Sequence, residues 1–533
     1  MKGLAAGRVV LFAALSAALA IAGCDVPAPA TDDARVLRRG ITAEIGTLDP
    51  HFSVLVEQES LLMDLYEGLV RLDARGNVVP AAAESWTIGA DGREYTFVLR
   101  DDVRWSDGSP VEADDFVWSF RRLVDPATGS PHAGKLVAVR GASEIVAGRL
   151  PPDALGVTAL DPRTLRIELE TPAPYFLAML TYPALVPLHA ESVERFDREF
   201  TRPENLVSNG PYVLSRRNQE YVELVRSQTY RNADRIAIER VRYVPFEQEF
   251  AQFTAYRVAD IDLTDVVPAS GLEIVRDQFP GELYVRPTKD TFYYAFNLRE
   301  GPLADSPALR EALSATIRRE IITAEVTGIR QPPAYSFVPP MFAGYEPARV
   351  GFADLSPEAR DEAAKALLER DGGAPPRLRV LYNTNEGIRL ITVAVASMWR
   401  AALGVETELR NMEFGVFLDT LRDPSAWDVA RLSWRADFDD PYAFLEIFRT
   451  GSPNNFVGFS DPVYDELLER SHRETSSERR LALLHEAEQR LLDAHAIAPV
   501  FFYVDRVLAK PWVDIGDRVT IKPLPTADLR WAD

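Results

Sequence analysis

The amino-acid sequence predicts an α/β protein of two or three domains with mixed sheets. Length is the first reason, because 533 residues exceed what one hydrophobic core normally organises. Composition is the second, since 47% of the residues are hydrophobic, which is typical of globular domains. The third is local: residues 378–382 and 405–409 read as strands, and the helical pattern over 389–403 between them is stopped by Gly404. This order predicts a βαβ unit with parallel strands.

Charge and motif content exclude several classes of function. The formal net charge of −21 argues against nucleic acid as a partner, because phosphate binding needs clustered basic side chains. The six histidines are scattered, and the nearest approach to a zinc motif, His485 with Glu486, has Gln489 where a second histidine belongs. No Gly-x-Ser-x-Gly nucleophile turn occurs. We therefore expect no metal, no cofactor and no enzyme activity.

The amino terminus predicts export and attachment to a lipid. A basic head precedes an apolar run over 9–22 that is shorter than a membrane span and typical of a signal peptide. The run ends in Ile-Ala-Gly-Cys24, which resembles a bacterial lipobox, so removal of residues 1–23 and lipidation of Cys24 are expected. Residues 24–36, rich in proline and small residues, would form a tether. The alternative is an ordinary cleaved signal with an incidental thiol; with one cysteine, no disulfide can form within the chain.

The start of the folded chain alternates strands, turns and helices. Apolar patterning and turn residues predict a strand over 37–44, a turn over 46–51, a second apolar piece over 54–56 and a helix over 59–69.

Four segments carry a resemblance to a known family. They are Leu-Asp-Pro-His at 48–51, Leu-Tyr-Glu-Gly-Leu at 65–69, Pro-Ala-Ala-Ala-Glu-Ser-Trp at 80–86, and the whole of 95–126. Within the last segment, alternating apolar residues predict a half-buried strand, and an amphipathic helix follows an Asp-Gly turn. Together they resemble the bacterial extracellular solute-binding proteins of family 5, the dipeptide- and oligopeptide-binding class that serves ABC importers.

The resemblance implies an α/β, two-lobed periplasmic-binding-protein fold of the large three-domain type, with mixed sheets and a hinge. It implies a first lobe with a core domain of residues 37–66, 190–290 and 506–533 and an accessory domain of residues 67–189. Residues 291–505 would form the second lobe. An oligopeptide would be captured between the lobes and delivered to the importer's permease subunits.

The same resemblance implies a setting for the protein. We expect a monomer, anchored by its lipid at the periplasmic face of the inner membrane or otherwise extracytoplasmic. Two alternatives stay open: the same fold with a non-peptide solute, such as a sugar, a metal chelate or glutathione, and an exported hydrolase.

Residues 129–135 match the first seven positions of a phosphate-binding loop. The eighth position is Leu136, which has no hydroxyl for magnesium, and the preceding segment reads as a helix and not as a strand. We therefore predict an ordinary exit from a helix.

Later elements place the second lobe. The aromatic strand at 292–297 marks the crossing into it, near residue 291. Ser306 suits an N-cap and Pro307 the first helical position, which predicts a helix that runs past Ile322. Residues 499–512 are expected to return the chain to the first lobe.

The segment 422–448 holds the densest mixture of charged and aromatic residues in the chain. A strand over 427–434 is predicted to deliver Asp437 into a turn. A peptide amine buried between lobes needs a carboxylate, because an unpaired buried ammonium is costly. Residues 433–438 match the family's Trp-x-Ala-Asp-aromatic motif, whose aspartate holds the peptide amine. Asp437 is therefore the predicted anchor.

The resemblance implies further ligand contacts. Arg431 and Arg422 match two arginines that family members use towards the ligand's C-terminal carboxylate, and Trp434 matches the adjacent wall. A strand that pairs with the main chain of the peptide would be formed by Val54, Leu55 and Val56.

Other residues in these segments leave the ligand open. Asp439 and Asp440 could in principle do acid–base work, as the hydrolase alternative requires, but duty in a turn or cap explains them equally well. Arg435 stands where the best-known members place a cysteine of a disulfide. The position of a ligand-binding lysine is Thr327, with Arg330 nearby, and that of a family histidine is Ile388 or Arg389, which puts the preferred peptide length in doubt.

Overall fold

The computed structural model describes residues 36–42, 44–373, 377–436, 438–518 and 523–532. The strands of these ranges are β1 (Val36–Ile41), β2 (Val70–Leu72), β3 (Val78–Pro80), β4 (Ala83–Ile88), β5 (Glu94–Leu99), β6 (Val157–Asp161), β7 (Thr164–Glu168), β8 (Tyr212–Arg217), β9 (Val222–Arg226), β10 (Arg240–Pro245), β11 (Leu283–Phe296), β12 (Leu378–Asn383), β13 (Thr407–Met412), β14 (Val429–Arg435), β15 (Ile497–Leu508), β16 (Val513–Asp514) and β17 (Arg530–Trp531).

The α-helices are α1 (Glu59–Leu65), α2 (Ala113–Val124), α3 (Ala142–Val146), α4 (Phe176–Met179), α5 (Ala190–Phe196), α6 (Glu249–Arg257), α7 (Leu272–Gln278), α8 (Pro307–Ala315), α9 (Arg319–Ile321), α10 (Pro357–Arg370), α11 (Glu386–Leu403), α12 (Phe414–Thr420), α13 (Tyr442–Leu445), α14 (Pro462–Arg473) and α15 (Ser477–Asp493). Among the described helices, none combines the length and the apolar character that crossing a membrane requires.

Three larger sheets carry the fold, and two of them mix parallel with antiparallel pairing. The N-terminal sheet has the order β1-β10-β9-β8, with β1 parallel to β10 and the other pairs antiparallel. The accessory sheet, β4-β5-β7-β6, is antiparallel throughout. The C-terminal sheet has the order β13-β12-β14-β11-β15. The predicted α/β fold with mixed sheets is confirmed.

Two long strands connect the C-terminal sheet to the N-terminal sheet. β11 and β15 pair antiparallel from Leu283 with Leu508 to Ala295 with Ile497, and their register shifts between Pro287 and Thr291. Just beyond β15, Ala509 bridges to Leu263, which in turn bridges to β1 of the N-terminal sheet. The pair therefore runs from one sheet to the other, and the irregularity lies where the sequence places the crossing. A break in a strand ladder lets the chain bend there, which suits a hinge.

The βαβ unit forms as the sequence predicts. β12 and β13 pair in parallel over six residues, with α11 between them. The side chain of Asn385 accepts a hydrogen bond from the amide of Ile388, and Gly404 ends the helix with a φ of 70°, a left-handed conformation that glycine adopts at little cost.

The predicted continuous helix from Ser306 past Ile322 is wrong. It begins as expected, since the hydroxyl of Ser306 accepts from the amide of Leu309, but α8 ends at Ala315 and is followed by α9 and a π-helix over Ile322–Val326. The cause is Arg319, whose fully buried guanidinium donates hydrogen bonds to the carbonyls of Ser314 and Ile317. Those carbonyls would otherwise accept from the next helical turn. The helix predicted over 59–69 likewise ends early, at Leu65.

Aromatic stacking joins the accessory sheet region to the C-terminal sheet region. Tyr175 stacks on Phe438 at 4.6 Å and on Tyr442 at 5.3 Å between ring centroids. Both regions belong to one continuous hydrophobic cluster, whereas the N-terminal sheet has its own. In the sequence, Phe438 and Tyr442 come shortly after Asp437, the predicted ligand anchor.

Candidate ligand site

The carboxyl end of β14 projects beyond the cover of its sheet. Its first four residues are buried, whereas Ser433 and Arg435 are exposed and Trp434 is half-buried. The pairing with β11 continues to Arg435, but the pairing with β12 stops at Ala430. One edge of the strand from Leu432 onward therefore carries no strand partner among the described residues. Asp437 follows directly and lies outside the described residues, so its surroundings define the site.

A cavity of about 220 Å³ lies beside this strand end. Its walls come from the start of the chain, the accessory region, both hinge strands and the residues after β14. Those that carry the argument below are Val56, Glu57, Glu59, Lys289, Asp290, Arg435, Asp439 and Asp505. The cavity thus lies where the elements of the two lobes meet.

Arg435 pairs with the hinge strand opposite it. It faces Asp290 in the β11–β14 register, and its Nε donates to Asp290 Oδ1 at 2.6 Å. Partial burial alone would lower the pKa of Arg435, but the carboxylates of Asp290, Asp505 and Glu59 outweigh it and raise the pKa. An ion pair thus occupies the strand position for which the resemblance implies a disulfide.

Asp439 and Asp440 are adjacent but bind different cations. Asp440 accepts two hydrogen bonds from Arg480, at 2.7 and 2.8 Å, and one from the amide of Tyr442, which is the turn duty that the sequence suggests. Asp439 Oδ1 lies 2.5 Å from Lys289 Nζ, while its buried Oδ2 has no hydrogen-bond partner among the described residues. Burial raises the pKa of Asp439, although Lys289 opposes the shift.

The two predicted arginines have unlike settings. Arg431 is buried, donates to Asn383 at 3.1 Å and to the hydroxyl of Tyr503 at 2.7 Å, and lies over the ring of Phe292. Its Nε has no partner among the described residues. The side chain of Arg422 is 68% exposed and pairs with Asp419 one helical turn away. No described contact joins Arg422 to Arg431 or to the cavity.

Trp434 is fixed as a wall. Its indole Nε1 donates to the carbonyl of Ala443 at 2.8 Å, and its ring packs against the large hydrophobic cluster. This hydrogen bond links the end of β14 to α13.

The structure forms no strand over Val54, Leu55 and Val56, and the pairing of these residues with the main chain of a peptide stays a prediction. Leu55 is extended, with φ −92° and ψ 122°, but Val56 begins a 3-10 helix over Val56–Gln58. Val54 is 60% exposed and Leu55 is 40% exposed, and neither pairs with a described strand. The reason is the hydrogen bond from the amide of Gln58 to the carbonyl of Leu55, which turns the chain into α1. Val56 lines the cavity.

The residues before this segment are held by the accessory region. Arg122 donates to Asp49 at 2.8 Å and to His51 Nδ1 at 2.7 Å. Because an arginine can only donate, His51 Nδ1 accepts, its proton lies on Nε2, and Nε2 faces the hydroxyl of Ser119 at 3.3 Å. Burial and the neighbouring Arg122 hold the pKa of His51 well below its ordinary value. The imidazole is therefore neutral.

The stretch that imitates a phosphate-binding loop has a structural task. Ser130 donates to the carbonyl of His51 at 2.6 Å, and His132 Nε2 donates to the carbonyl of Ser53 at 2.8 Å. It follows α2 and contains a 3-10 helix over Ala133–Leu136, as a helix exit does. Its role is to fix the segment that leads to Val54.

The structure brings together residues that the sequence did not single out. Lys289, Asp290 and Asp505 reach the cavity from the hinge strands, and no local pattern distinguishes them from other charged residues of strands. Thr327 donates to Gln331, Ile388 is buried, and Arg389 pairs with Glu386. Thr327, Ile388 and Arg389 are not among the described residues that line the cavity. In the described part of the chain, no group of histidine, cysteine, aspartate or glutamate side chains has the arrangement of a metal site.

Comparison with known proteins assigns the family. The family model "Bacterial extracellular solute-binding proteins, family 5 Middle" matches residues 77–456. The periplasmic murein peptide-binding protein MppA of Escherichia coli is 38% identical over 484 residues, which are 90% of this chain and 89% of that protein. The periplasmic oligopeptide-binding protein OppA of the same organism is 36% identical over 511 residues, 94% of each chain.

Solved structures of proteins from this family resemble the fold of this chain. An unliganded open form of MppA matches with a TM-score of 0.87 at 36% identity, covering 93% of this chain and 97% of that one. Haemophilus influenzae OppA in complex with the peptide RPPGFSPFR matches with a TM-score of 0.72 at 32% identity, covering 94% and 99%. The chain therefore belongs to the bacterial extracellular solute-binding proteins of family 5.

Proposed function

We propose that this protein is the extracytoplasmic receptor of an ABC-type importer, which captures oligopeptides between its lobes and delivers them to the permease subunits. The observation that carries the proposal is the open edge of β14 beside the cavity, where pairing with β12 stops at Ala430 while pairing with β11 continues to Arg435. An extended peptide can add to such an edge through its main chain, which gives affinity without reading side chains. A solute without peptide bonds would leave this edge unpaired.

The charges beside the edge supply orientation. In this proposal Asp437 binds the peptide's amine, Arg431 and Arg422 act towards its carboxylate, Trp434 forms a wall, and Val54, Leu55 and Val56 offer main-chain groups from the other side. Arg431 supports its assignment best, because it has a buried Nε without a described partner. A dissociation constant near micromolar, about −8 kcal/mol, is expected for such a receptor.

A murein-derived peptide is the second candidate ligand. It is favoured by the 38% identity to the murein peptide-binding protein and by the TM-score of 0.87 to that protein's open form. Such a peptide also carries an amine and peptide bonds, so it would use the same strand edge.

The remaining expectations belong to the same proposal. Residues 1–23 and Cys24 lie outside the described residues, and we propose a signal peptide and a lipid anchor there. We also propose two lobes. The first comprises residues 37–66, 190–290 and 506–533, with an accessory domain of residues 67–189, and the second comprises residues 291–505. A monomeric state and the lack of catalysis belong to the same proposal. A Cys24→Ser protein is expected in the soluble fraction of the cell envelope, and its retention in membranes would contradict the anchor.

Native mass spectrometry of the protein purified from its own cell envelope tests the proposed function. A ladder of bound masses that match peptides is expected. A single mass without peptide bonds would contradict peptide capture. Steady hydrolysis of added peptides, abolished in Asp439→Asn or Asp440→Asn, would instead support the exported hydrolase.

A further inference from the structure

Asp439 is set apart from the other charged groups of the site. Its side chain is only 9% exposed, yet Oδ2 has no hydrogen-bond partner among the described residues. A buried carboxylate oxygen normally has a donor, because leaving it bare costs free energy. Lys289 satisfies Oδ1 and leaves the second oxygen available.

Space for a ligand group adjoins this carboxylate on two sides. Asp439 lines the cavity beside β14 and also a second cavity of about 720 Å³ between the accessory region and the C-terminal sheet region. Among the described residues, it is the only charged one that lines both cavities. A Cβ placed on Gly76, which has a φ of 83°, would lie 3.5 Å from Oδ2, so the lack of a side chain at Gly76 leaves that space unfilled. A ligand group in either cavity can therefore contact this carboxylate.

The electrostatic balance selects the sign of that ligand group. The charged residues lining the cavity beside β14 are five carboxylates and two basic groups, a net charge of −3 without counting Asp437. The carboxylates are Glu57, Glu59, Asp290, Asp439 and Asp505, and the basic groups are Lys289 and Arg435. A cleft lined by one sign of charge attracts the opposite sign, and burial strengthens the effect.

The distance to the proposed amine anchor fits a side chain of the first peptide residue. Asp439 is two residues from Asp437, so their Cα atoms are at most about 7 Å apart. A lysine side chain places its ammonium at the end of a flexible four-carbon stem, which spans a comparable distance. A peptide whose amine is bound at Asp437 can thus bring the charge of its own first side chain to Asp439.

We propose that Asp439 is a specificity determinant, whose free oxygen binds a cationic side chain at the amino-terminal residue of the peptide. The protein then prefers peptides that begin with lysine, arginine or another residue with an amine in its side chain. This inference rests on the proposed peptide-binding function and names the substrate class within it. Burial, which raises the pKa of Asp439, is consistent with a carboxylate that lacks part of its compensating charge.

Titration calorimetry at pH 7 with the tripeptides Lys-Ala-Ala, norleucine-Ala-Ala and Glu-Ala-Ala tests the inference. Norleucine keeps the apolar stem of lysine without its charge. The wild-type protein should bind Lys-Ala-Ala about tenfold more tightly than norleucine-Ala-Ala, the value of one charge-assisted hydrogen bond, and Glu-Ala-Ala most weakly. Equal affinities for the lysine and norleucine peptides would overturn the inference, and this comparison needs no variant.

Two variants then assign the preference to one side chain. Asp439→Asn keeps the shape of the residue and should bring the lysine-to-norleucine ratio close to one, and the readout is this ratio because the loss of the pair with Lys289 affects both peptides alike. Asp354→Asn removes a surface carboxylate that is 89% exposed and should keep the wild-type ratio. A ratio that survives in Asp439→Asn would contradict the assignment. If all three tripeptides bind equally, only this inference fails; if none binds, the proposed function fails and this inference with it.

Discussion

The two walls of the cleft differ in how completely their polar groups are paired. On the wall that leads to Val54, the described residues from Asp49 to Gln58 leave no buried side-chain nitrogen or oxygen without a partner. On the opposite side, three buried atoms of β11, of β14 and of the residues after β14 have no partner within the described ranges: Thr288 Oγ1, Arg431 Nε and Asp439 Oδ2. The first wall is complete without a ligand, whereas the second has hydrogen-bonding capacity that a ligand can fill.

This difference suggests that the two walls have different roles in ligand binding. A receptor closes only to the extent that the ligand interacts better with the closed state than with the open one. A fully paired wall contributes the same energy in both states and serves to position main-chain groups. Unpaired groups on the other wall gain partners only when the ligand arrives, so they can supply the differential energy for closure.

The largest expected effect comes from breaking the paired wall. Arg122→Ala leaves the carboxylate of Asp49 buried without its cation and removes the donor to His51. Loss of one partner of a buried pair should lower the free energy of unfolding by about 3 kcal/mol, measured by urea unfolding of the protein. Arg149→Ala is the matched control, since Arg149 forms an exposed pair with Glu144 in the same region and should change stability by less than about 0.5 kcal/mol. Equal effects of the two substitutions would contradict the assignment.

A second, smaller effect is the dependence of this wall on pH. The pKa of His51 is lowered in the folded protein, chiefly by burial, so below about pH 6.5 the unfolded chain binds a proton that the folded chain does not. The contribution of His51 is therefore fully present above about pH 6.5 and decreases as the pH falls, by up to about 1.4 kcal/mol per pH unit.

Stability curves of the His51→Gln protein check this effect. The variant should lose part of the slope between pH 6.5 and 5, and His485→Gln, which alters a histidine at the surface, should keep it. His132 and His472 have lowered pKa values too, through burial, so a residual slope of the same sign is expected in the His51→Gln protein. An unchanged slope would show that His51 accepts a proton in the folded state.

The smallest effect separates the two predicted arginines, Arg431 and Arg422. Arg431→Gln removes a buried guanidinium whose Nε has no described partner and should weaken binding of a tripeptide by about 1 kcal/mol. Arg422→Gln removes a charge that is exposed and already paired with Asp419, and it should weaken binding by less than about 0.5 kcal/mol. Calorimetry with one peptide on both proteins measures the difference. A larger loss for Arg422→Gln than for Arg431→Gln would contradict this order and assign the peptide's carboxylate to Arg422.

Local patterns in the sequence predicted much of the fold. The βαβ unit, the N-cap at Ser306 and the end of α11 at Gly404 depend on residues that are close along the chain, and all three are confirmed. The family motifs in 48–126 predicted the two-lobed class, because they are specific to one family.

The features that the sequence did not predict depend mostly on contacts between residues that are far apart in the chain. Arg319 ends a helix by binding carbonyls that include that of Pro499, 180 residues away, and no helical pattern contains that information. Asp439 pairs with Lys289, which lies 150 positions away in the sequence. The different partners of Asp439 and Asp440 therefore could not be predicted from the fact that these two residues are neighbours in the chain. The strand expected over 54–56 was replaced by a turn because the main chain found a local hydrogen bond instead of a strand partner.

The most direct test of the central claim is the affinity of wild-type and Asp437→Asn protein for one alanine-containing tripeptide with a free amine and for its N-acetylated form. If Asp437 binds the amine, the substitution should weaken binding of the free peptide by about 2 to 5 kcal/mol, which is at least about thirtyfold, and should leave the weaker binding of the acetylated peptide nearly unchanged. Asp354→Asn serves as the control for loss of one surface charge. Affinities of the Asp437→Asn protein within twofold of the wild type for both peptides would contradict capture of a peptide by its amine at this cleft.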